Sequence, residues 1–227
     1  MFMEEIFDKF CDNYDSWYTT PMGNFLDEIE TNCLFSLFQP QKDQRILDVC
    51  CGTGNFCIKL AKMGCKVTGI DISEKMLKMA KEKIEIEKTL DIKILKGDCT
   101  TILLKNNYYD SIISMAGFEF IKSPKNAFSN LMKYLKPYGS LTIGTIQKDS
   151  QWQKLYSSLK GSVYEHANFL SIDDIKNFDI SSYSDNNECL FIPPGLSENE
   201  YNMKNETLYK TQNNIGGFIC VKFKKII

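Results

Sequence analysis

The sequence has a single histidine, no Cys-x-x-Cys pair and no run of about eighteen apolar residues. One histidine leaves too few nitrogen ligands for a histidine-based zinc site, so we predict no metal. The nine cysteines are odd in number and scattered through predicted core elements. We interpret them as reduced core thiols rather than disulfides. The missing apolar run predicts no membrane-spanning helix.

An excess of basic charge is also absent, because the net charge is −2 and the pI is near 5.6. No basic cluster is interleaved with aromatic residues, so we predict no nucleic-acid partner. The first six residues, Met-Phe-Met-Glu-Glu-Ile, lack the basic region and apolar core of a signal peptide. We therefore expect a cytoplasmic protein without a membrane partner, as a monomer or a homodimer. A length of 227 residues, without repeats or a long linker, predicts a single domain over residues 1–227.

A glycine-rich turn is the most informative feature that is present. Residues 47–54 read Leu-Asp-Val-Cys-Cys-Gly-Thr-Gly, an apolar strand over 45–50 followed by Gly52 and Gly54. These glycines allow a sharp turn and a close backbone approach to a ligand before a helix that begins at about Asn55. An ordinary strand-to-helix turn is the alternative if nothing else agrees.

A second strand, residues 65–70, ends at Asp71, where an acid can accept both hydroxyls of a ribose. A nucleoside-bearing ligand is therefore expected. A dinucleotide-binding turn needs a third glycine or alanine where this chain has Cys57, and Asp48 would repel a pyrophosphate. Asp48 would instead attract a cationic amino-acid moiety, directly or through water. The turn thus disfavours a nicotinamide cofactor.

At this point the chain resembles the class I S-adenosylmethionine-dependent methyltransferases. Their first motif, LDxGxGxG, stands here as LDVCCGTG, with Cys50 in place of a glycine. Three further motifs follow in order: Asp71-Ile-Ser resembles the ribose-binding motif, Gly97-Asp98-Cys99 the adenine-binding motif, and the segment 109–115 the fourth strand. The resemblance covers about residues 46–145. It implies an α/β, Rossmann-like sheet of seven mostly parallel strands, with helices on both faces and the last strand antiparallel.

Hydrophobic periodicity and turn residues predict the remaining helices and strands. Predicted helices cover about 25–38, 55–63, 125–135 and 151–159, one helix is capped by Ser73, and a capping box over 171–174 begins another. Further strands are predicted at 92–96, 109–115, 140–146, 189–192 and 217–223, with a hairpin-like loop over 197–214. The apolar segment 189–194 either ends an edge strand, which we favour, or forms a wall of a substrate pocket. We expect a helical lid over about 1–40 and a covering segment over about 150–178.

The resemblance implies S-adenosylmethionine as cofactor and assigns residues to its site. The turn holds the methionine part, Asp71 the ribose and Asp98 the adenine amine. The full set implied is Tyr14, Asp48, Cys50, Gly52, Thr53, Gly54, Asp71, Ile72, Met76, Asp98, Cys99 and Met115.

Catalysis needs few side chains, because a sulfonium methyl group is already activated. If the acceptor arrives protonated, the candidate bases are Glu119, Tyr164 and His166. Alternatively, Glu119 is only an acid at the start of a helix, where the helix dipole stabilises it. Tyr164 and His166 would then only form structural hydrogen bonds. Trp17, Tyr18 and Phe118 are candidates for the lid and substrate contacts. The rings of Tyr14, Trp17 and Tyr18 either surround the sulfonium or only anchor a helix to the core.

The leading hypothesis is a methyltransferase that acts on a small molecule. A methyltransferase of proteins or nucleic acids would keep the same cofactor site but needs an exposed recognition surface. A non-catalytic cofactor-binding module and a nicotinamide oxidoreductase are the remaining alternatives. The sequence leaves the acceptor and its accepting atom open.

Overall fold

The computed structural model describes residues 3–11, 14–213 and 215–226. Residues 1, 2, 12 and 13 of the predicted lid, and residue 214 of the predicted loop, lie outside these ranges. The helices are α1 Met3–Phe10, α2 Tyr14–Trp17, α3 Pro21–Leu37, α4 Asn55–Lys62, α5 Glu74–Ile86, α6 Pro124–Tyr134, α7 Gln151–Ser158, α8 Ile172–Lys176 and α9 Met203–Gln212. The strands are β1 Arg45–Val49, β2 Lys66–Asp71, β3 Ile92–Lys96, β4 Tyr109–Met115, β5 Leu135–Ile146, β6 Tyr183–Cys189 and β7 Phe218–Lys224.

The strands form one seven-stranded sheet in the order β3-β2-β1-β4-β5-β7-β6. Strands β1 to β5 pair in parallel, whereas β7 runs antiparallel to both β5 and β6. In β1, Ile46 and Leu47 are both fully buried although they face opposite sides of the sheet, as expected of a strand between two helix layers. The predicted fold class is confirmed. The carboxyl ends of β1, β2, β3 and β4 meet along one edge, where α/β sheets bind ligands.

Local signals in the first two thirds of the chain predicted most element bounds. The β3 and β4 bounds are those predicted, and the Ser73 side chain caps α5 by accepting from the Met76 N–H. The Ser171–Asp174 capping box is present in both directions, at 3.0 and 3.1 Å. Strand β5 begins five residues earlier than predicted, since α6 gives way directly to strand at Leu135.

The C-terminal third departs from the prediction in two places. The edge strand is β6, which ends at Cys189 instead of starting there. The hairpin-like loop predicted over 197–214 is wrong, because a one-turn 3₁₀ helix over 198–200 and helix α9 occupy it. Helix α9 gives no amphipathic signal, since Met203 and Leu208 are each 51% exposed.

Helix α9 is held by hydrogen bonds that hydropathy does not reveal. Its buried Glu206 accepts hydrogen bonds from the backbone N–H groups of Phe191 and Ile192, at 3.0 and 2.9 Å. The Trp152 indole N–H donates to the Ile192 carbonyl at 2.7 Å, which joins α7 to the same segment. The segment after β6 is thus tied from both sides. Within the described ranges, no helix is long and apolar enough to cross a membrane.

Candidate active site

A cleft of about 510 Å³ opens at the carboxyl edge of the sheet. Its walls come from the segments that follow β1, β2, β3 and β4, and α1 contributes a further wall. This cleft brings together eight of the residues predicted for the cofactor: Tyr14, Cys50, Gly52, Asp71, Ile72, Met76, Asp98 and Cys99.

Gly52 and Asp71 lie together on the floor of the cleft. Gly52 has a φ of +52°, and a Cβ built on it meets no atom within 4 Å. Its N–H donates to Oδ2 of Asp71 at 2.9 Å, while Oδ1 accepts from the Ser73 N–H at 2.9 Å. Burial raises the pKa of Asp71, against the lowering effect of these backbone hydrogen bonds. Each carboxylate oxygen keeps further acceptor capacity for a hydroxyl group.

Thr53 and Gly54 shape the turn rather than line the cleft. Thr53 is buried, and its hydroxyl donates to Oδ1 of Asp15 at 2.7 Å. Asp15 also forms an ion pair with Lys83 at 2.7 Å. Gly54 has a φ of +79°, and a Cβ there would lie 3.1 Å from the Ala80 Cβ. A side chain at position 54 would therefore push α4 away from α5.

The far end of the cleft has one exposed acid and apolar walls. Oδ1 of Asp98 accepts from the N–H and the hydroxyl of Thr100, at 2.8 and 2.7 Å. Ile72, Met76 and Cys99 present apolar surface to the same space. This combination suits a flat, partly polar ring.

Helix α1 covers the cleft and is fixed at several points. Asp8 accepts from the Ser73 hydroxyl at 2.6 Å, and Glu4 pairs with Lys96 at 2.7 Å. The ring of Phe7 packs edge-on against Phe120, with centroids 5.0 Å apart. Sequence reasoning missed Phe120 as a cleft residue, because aromatic residues after β4 are equally typical of core.

A second, smaller pocket of about 40 Å³ adjoins the cleft and shares Tyr14 and Cys50 with it. Asp48, Thr53, Met115 and Tyr18 line it, as do Asp27 and Glu30, which the sequence analysis did not single out. Both acids lie on α3, and the sequence indicated this helix only through its apolar residues.

Asp48 is 2% exposed and accepts a hydrogen bond from the Cys57 thiol at 3.2 Å. Burial raises the pKa of Asp48 to about 7, with repulsion from Asp71 adding to the shift and the Cys57 hydrogen bond opposing it. A cationic group beside this carboxyl would favour its ionised form.

The aromatic residues of α2 and the turn after it divide between pocket and core. The hydroxyls of Tyr14 and Tyr18 lie 3.4 Å apart, and both side chains line the second pocket. Trp17 packs edge-on against Tyr18 and is half-buried against the hydrophobic core. Burial raises the pKa of Tyr14 to about 12, so its hydroxyl is a neutral donor at physiological pH.

The candidate bases occupy three different environments. Glu119 is 1% exposed in the one-turn helix over 118–120, and its Oε2 accepts from the Thr145 hydroxyl at 2.9 Å. Burial raises the pKa of Glu119 to about 7. Tyr164 packs against Phe120 with ring centroids 5.7 Å apart. His166 is exposed, and none of these three residues belongs to the lining of either pocket.

Phe118 lies in the core, 1% exposed, with its ring 6.4 Å from that of Phe178. The nine cysteines, which all lie in the described part of the chain, form no disulfide with one another, and Cys50 alone is not fully buried. Over residues 3–11, 14–213 and 215–226, no group of three or more His, Cys, Asp or Glu side chains is arranged to hold a metal ion.

The cleft fits S-adenosylmethionine by its own chemistry. A carboxylate after β2 suits ribose hydroxyls, and the open space beside Gly52 allows a ligand to touch the backbone. Apolar walls end at Asp98, which suits a purine with an exocyclic amine. The buried carboxyl of Asp48 lines the adjoining pocket, and its charge would suit a methionine ammonium group.

Comparisons with known proteins agree with this chemistry. A methyltransferase-domain family model matches residues 46–139. A malonyl-[acyl-carrier protein] O-methyltransferase of Buchnera aphidicola is 30% identical over 174 residues, which cover 76% of this chain and 66% of the relative. The ubiquinone/menaquinone biosynthesis C-methyltransferase of Wigglesworthia glossinidia is 29% identical over 185 residues, covering 80% and 71%.

The fold itself has close structural neighbours. The crystal structure of an S-adenosylmethionine-dependent methyltransferase from Thermotoga maritima superposes with a TM-score of 0.75 at 21% identity. The superposition covers 99% of this chain and 100% of that one.

Proposed function

Because this chain is a class I S-adenosylmethionine-dependent methyltransferase, we propose that it transfers the methyl group to a small-molecule acceptor by in-line displacement. The relatives named above methylate oxygen and carbon atoms, so the family does not dictate the accepting atom.

The observation that carries the proposal is the small size of the space next to the turn. The second pocket holds about 40 Å³ and is walled by Tyr14, Tyr18 and Phe56. A water molecule occupies about 30 Å³ in the liquid, so this volume suits a small functional group. Helix α1 covers the larger cleft through the contacts of Glu4, Phe7 and Asp8. A space of this size, beside a cleft that α1 covers, favours a small molecule over a protein or nucleic-acid segment.

The geometry of the cleft supports the proposed cofactor contacts. Asp71 would accept the ribose hydroxyls, Asp98 the adenine amine and Asp48 the methionine ammonium group, while Gly52 gives backbone access. Thr53 and Gly54 would act through the shape of the turn. When bound, the cofactor supplies a methyl group on a positively charged sulfur, which needs no further activation.

Glu119 is the proposed general base among the three candidates. A pKa of about 7 allows a carboxyl group to accept a proton near neutral pH and to release it afterwards. The Thr145 hydrogen bond fixes one oxygen of Glu119, which leaves the other for proton transfer. Tyr164 is proposed to wall the site beside Phe120, and His166 to have no catalytic part.

We also propose that the enzyme works in the cytoplasm as a monomer or homodimer, without a nucleic-acid or membrane partner. Size-exclusion chromatography of the purified protein tests the oligomeric state.

A screen of small thiols, amines, phenols and carboxylic acids tests the function directly. Formation of S-adenosylhomocysteine together with a methylated product of matching mass supports it. Tight binding of S-adenosylmethionine with no product from any class would instead support the non-catalytic module.

A further inference from the structure

Three residues line both the cleft and the second pocket, namely Tyr14, Cys50 and Ala116. Cys50 directly follows β1 and Ala116 directly follows β4, and these two strands are neighbours in the sheet. Tyr14 comes from α2, so three separate segments of the chain contribute to the place where the two spaces meet. These three residues form a collar between the cleft and the second pocket.

Two of the collar residues have a backbone conformation that residues with a side chain rarely adopt. The φ angle is +58° at Cys50 and +49° at Ala116. Such angles cost stability that a glycine would avoid, and residues in this conformation cluster at functional sites. The chain nevertheless has a cysteine at position 50, where LDxGxGxG has a glycine. A side chain kept there at a cost to the fold indicates a role in the site.

The Cys50 side chain is held against the segment that follows β4. A Cβ built on Gly117 would lie 2.5 Å from the Cβ of Cys50 and 3.2 Å from its Sγ, so the glycine at position 117 leaves the room that this side chain occupies. The part of Cys50 that is not buried faces the two spaces that it lines. Cys50 therefore presents a fixed surface to any ligand that extends from one space into the other.

The covalent structure of the cofactor brings its sulfur to the collar. In S-adenosylmethionine, the sulfonium sulfur joins the ribose to the amino-acid chain. Asp71, the proposed partner of the ribose, lines the cleft, whereas Asp48, the proposed partner of the methionine ammonium group, lines the second pocket. A ligand that reaches both acids must pass the collar, and the link between ribose and amino acid is the part that does so.

Resting on the cofactor contacts and the methyl transfer proposed above, we propose that the collar of Tyr14, Cys50 and Ala116 selects the donor by the size of the alkyl group on its sulfur. A methyl group fits beside the Cys50 thiol, whereas the extra carbon of an ethyl group overpacks the space against a side chain that Gly117 holds in place. Cys50 is the specificity-determining residue that can be removed cleanly, because a φ of +58° suits glycine.

The test measures binding, so it needs no methyl acceptor. Isothermal titration calorimetry gives the Kd for S-adenosylmethionine, for its ethyl analogue S-adenosylethionine, and for S-adenosylhomocysteine, which has no alkyl group at this position. The wild type should bind the ethyl analogue about tenfold or more weakly than S-adenosylmethionine. Cys50→Gly should reduce this ratio to about threefold or less, because the side chain that meets the extra carbon is gone. A merely structural effect would change the affinity for all three ligands together.

Two control variants separate the size of the side chain from other effects. Cys50→Ser keeps a side chain of nearly the same size, so it should keep the wild-type ratio of ethyl to methyl affinities. Tyr138→Gly also places a glycine at a positive φ, +65°, but Tyr138 is 73% exposed and lines neither space. It should keep the wild-type ratio as well.

Equal binding of the methyl and ethyl donors by the wild type would overturn the collar proposal. A wild-type ratio that Cys50→Gly leaves unchanged, or that Cys50→Ser or Tyr138→Gly abolishes, would overturn it too. The small-molecule function is decided separately, by the screen of methyl acceptors. A protein that selects the methyl donor but gives no methylated small molecule would contradict the proposed function and leave the collar standing.

Discussion

The backbone N–H of Gly52 donates a hydrogen bond to Oδ2 of Asp71 over 2.9 Å. This bond joins the turn after β1 to the acid that ends β2, across the floor of the cleft. The two motifs that indicated a nucleoside ligand in the sequence are therefore one structural unit. A substitution of either residue should therefore first change the affinity for the cofactor.

Asp71→Asn should weaken S-adenosylmethionine binding by about 10- to 100-fold, because hydrogen bonds to a charged group contribute about 1.5–3 kcal/mol. Isothermal titration calorimetry measures the effect. Asp91→Asn, on an exposed acid, is the matched control and should bind normally. Unchanged affinity in Asp71→Asn would remove Asp71 from the ribose site.

Gly52→Ala should block the cofactor while costing the fold only the strain of a left-handed backbone. A Cβ at position 52 meets only open space at a φ of +52°, and Gly161 has the same open surroundings at +74°. Both alanine variants should lose about 1 kcal/mol or more of stability from the left-handed backbone. We expect only Gly52→Ala to lose S-adenosylmethionine affinity in calorimetry. Equal affinities in the two variants would show that the ligand does not approach this turn.

Glu119 should make the stability of the ligand-free protein fall as pH rises. Its folded pKa of about 7 lies above the ordinary glutamate pKa of about 4.5, so the folded state keeps a proton that the unfolded state loses between these pH values. The stabilisation is present below about pH 4.5 and is lost as pH rises through about 7, by roughly 3 kcal/mol at 1.36 kcal/mol per unit.

Urea unfolding of wild type and Glu119→Gln from pH 5 to pH 8 measures this effect. Glu119→Gln should show a flatter slope across this window, and Glu85→Gln, at an exposed position on α5, should keep the wild-type slope. Parallel curves for wild type and Glu119→Gln would mean that this carboxyl titrates as an ordinary acid.

Glu206→Ala should destabilise the fold by about 3 kcal/mol, since two backbone N–H groups lose a charged acceptor at 3.0 and 2.9 Å. The midpoint of urea denaturation gives the change. Glu198→Ala, an exposed acid in the preceding 3₁₀ helix, is the control and should stay within about 0.5 kcal/mol of wild type. A surface-sized effect of Glu206→Ala would argue against its role in holding the segment after β6.

Local patterns predicted the parts of the fold that local physics determines. The strands before Asp71 and over 109–115 are apolar runs, and Ser73 and Ser171 cap their helices with their own side chains. The motifs that resemble a family then supplied the seven-stranded, mostly parallel sheet with its antiparallel last strand, which no local pattern contains. Helix α9 escaped prediction because Glu206 holds it through distant backbone groups.

The same distinction applies to the candidate site. Gly52 and Asp71 belong to motifs with fixed spacing, so the sequence places them at one edge of the sheet. Glu30 lies on α3 and Phe120 after β4, and both reach the site only through tertiary packing. Residues of this kind depend on contacts far apart in the chain, and a single sequence gives no signal for them.

The most direct test of the central claim follows a deuterated methyl group from S-adenosylmethionine. The purified protein is incubated with the labelled cofactor and an extract of the cells that produce it, and mass spectrometry then compares small molecules with macromolecules. We predict that the label appears in a small molecule, with an equal amount of S-adenosylhomocysteine. Label found only on protein or nucleic acid, or no transfer of label, would contradict the account.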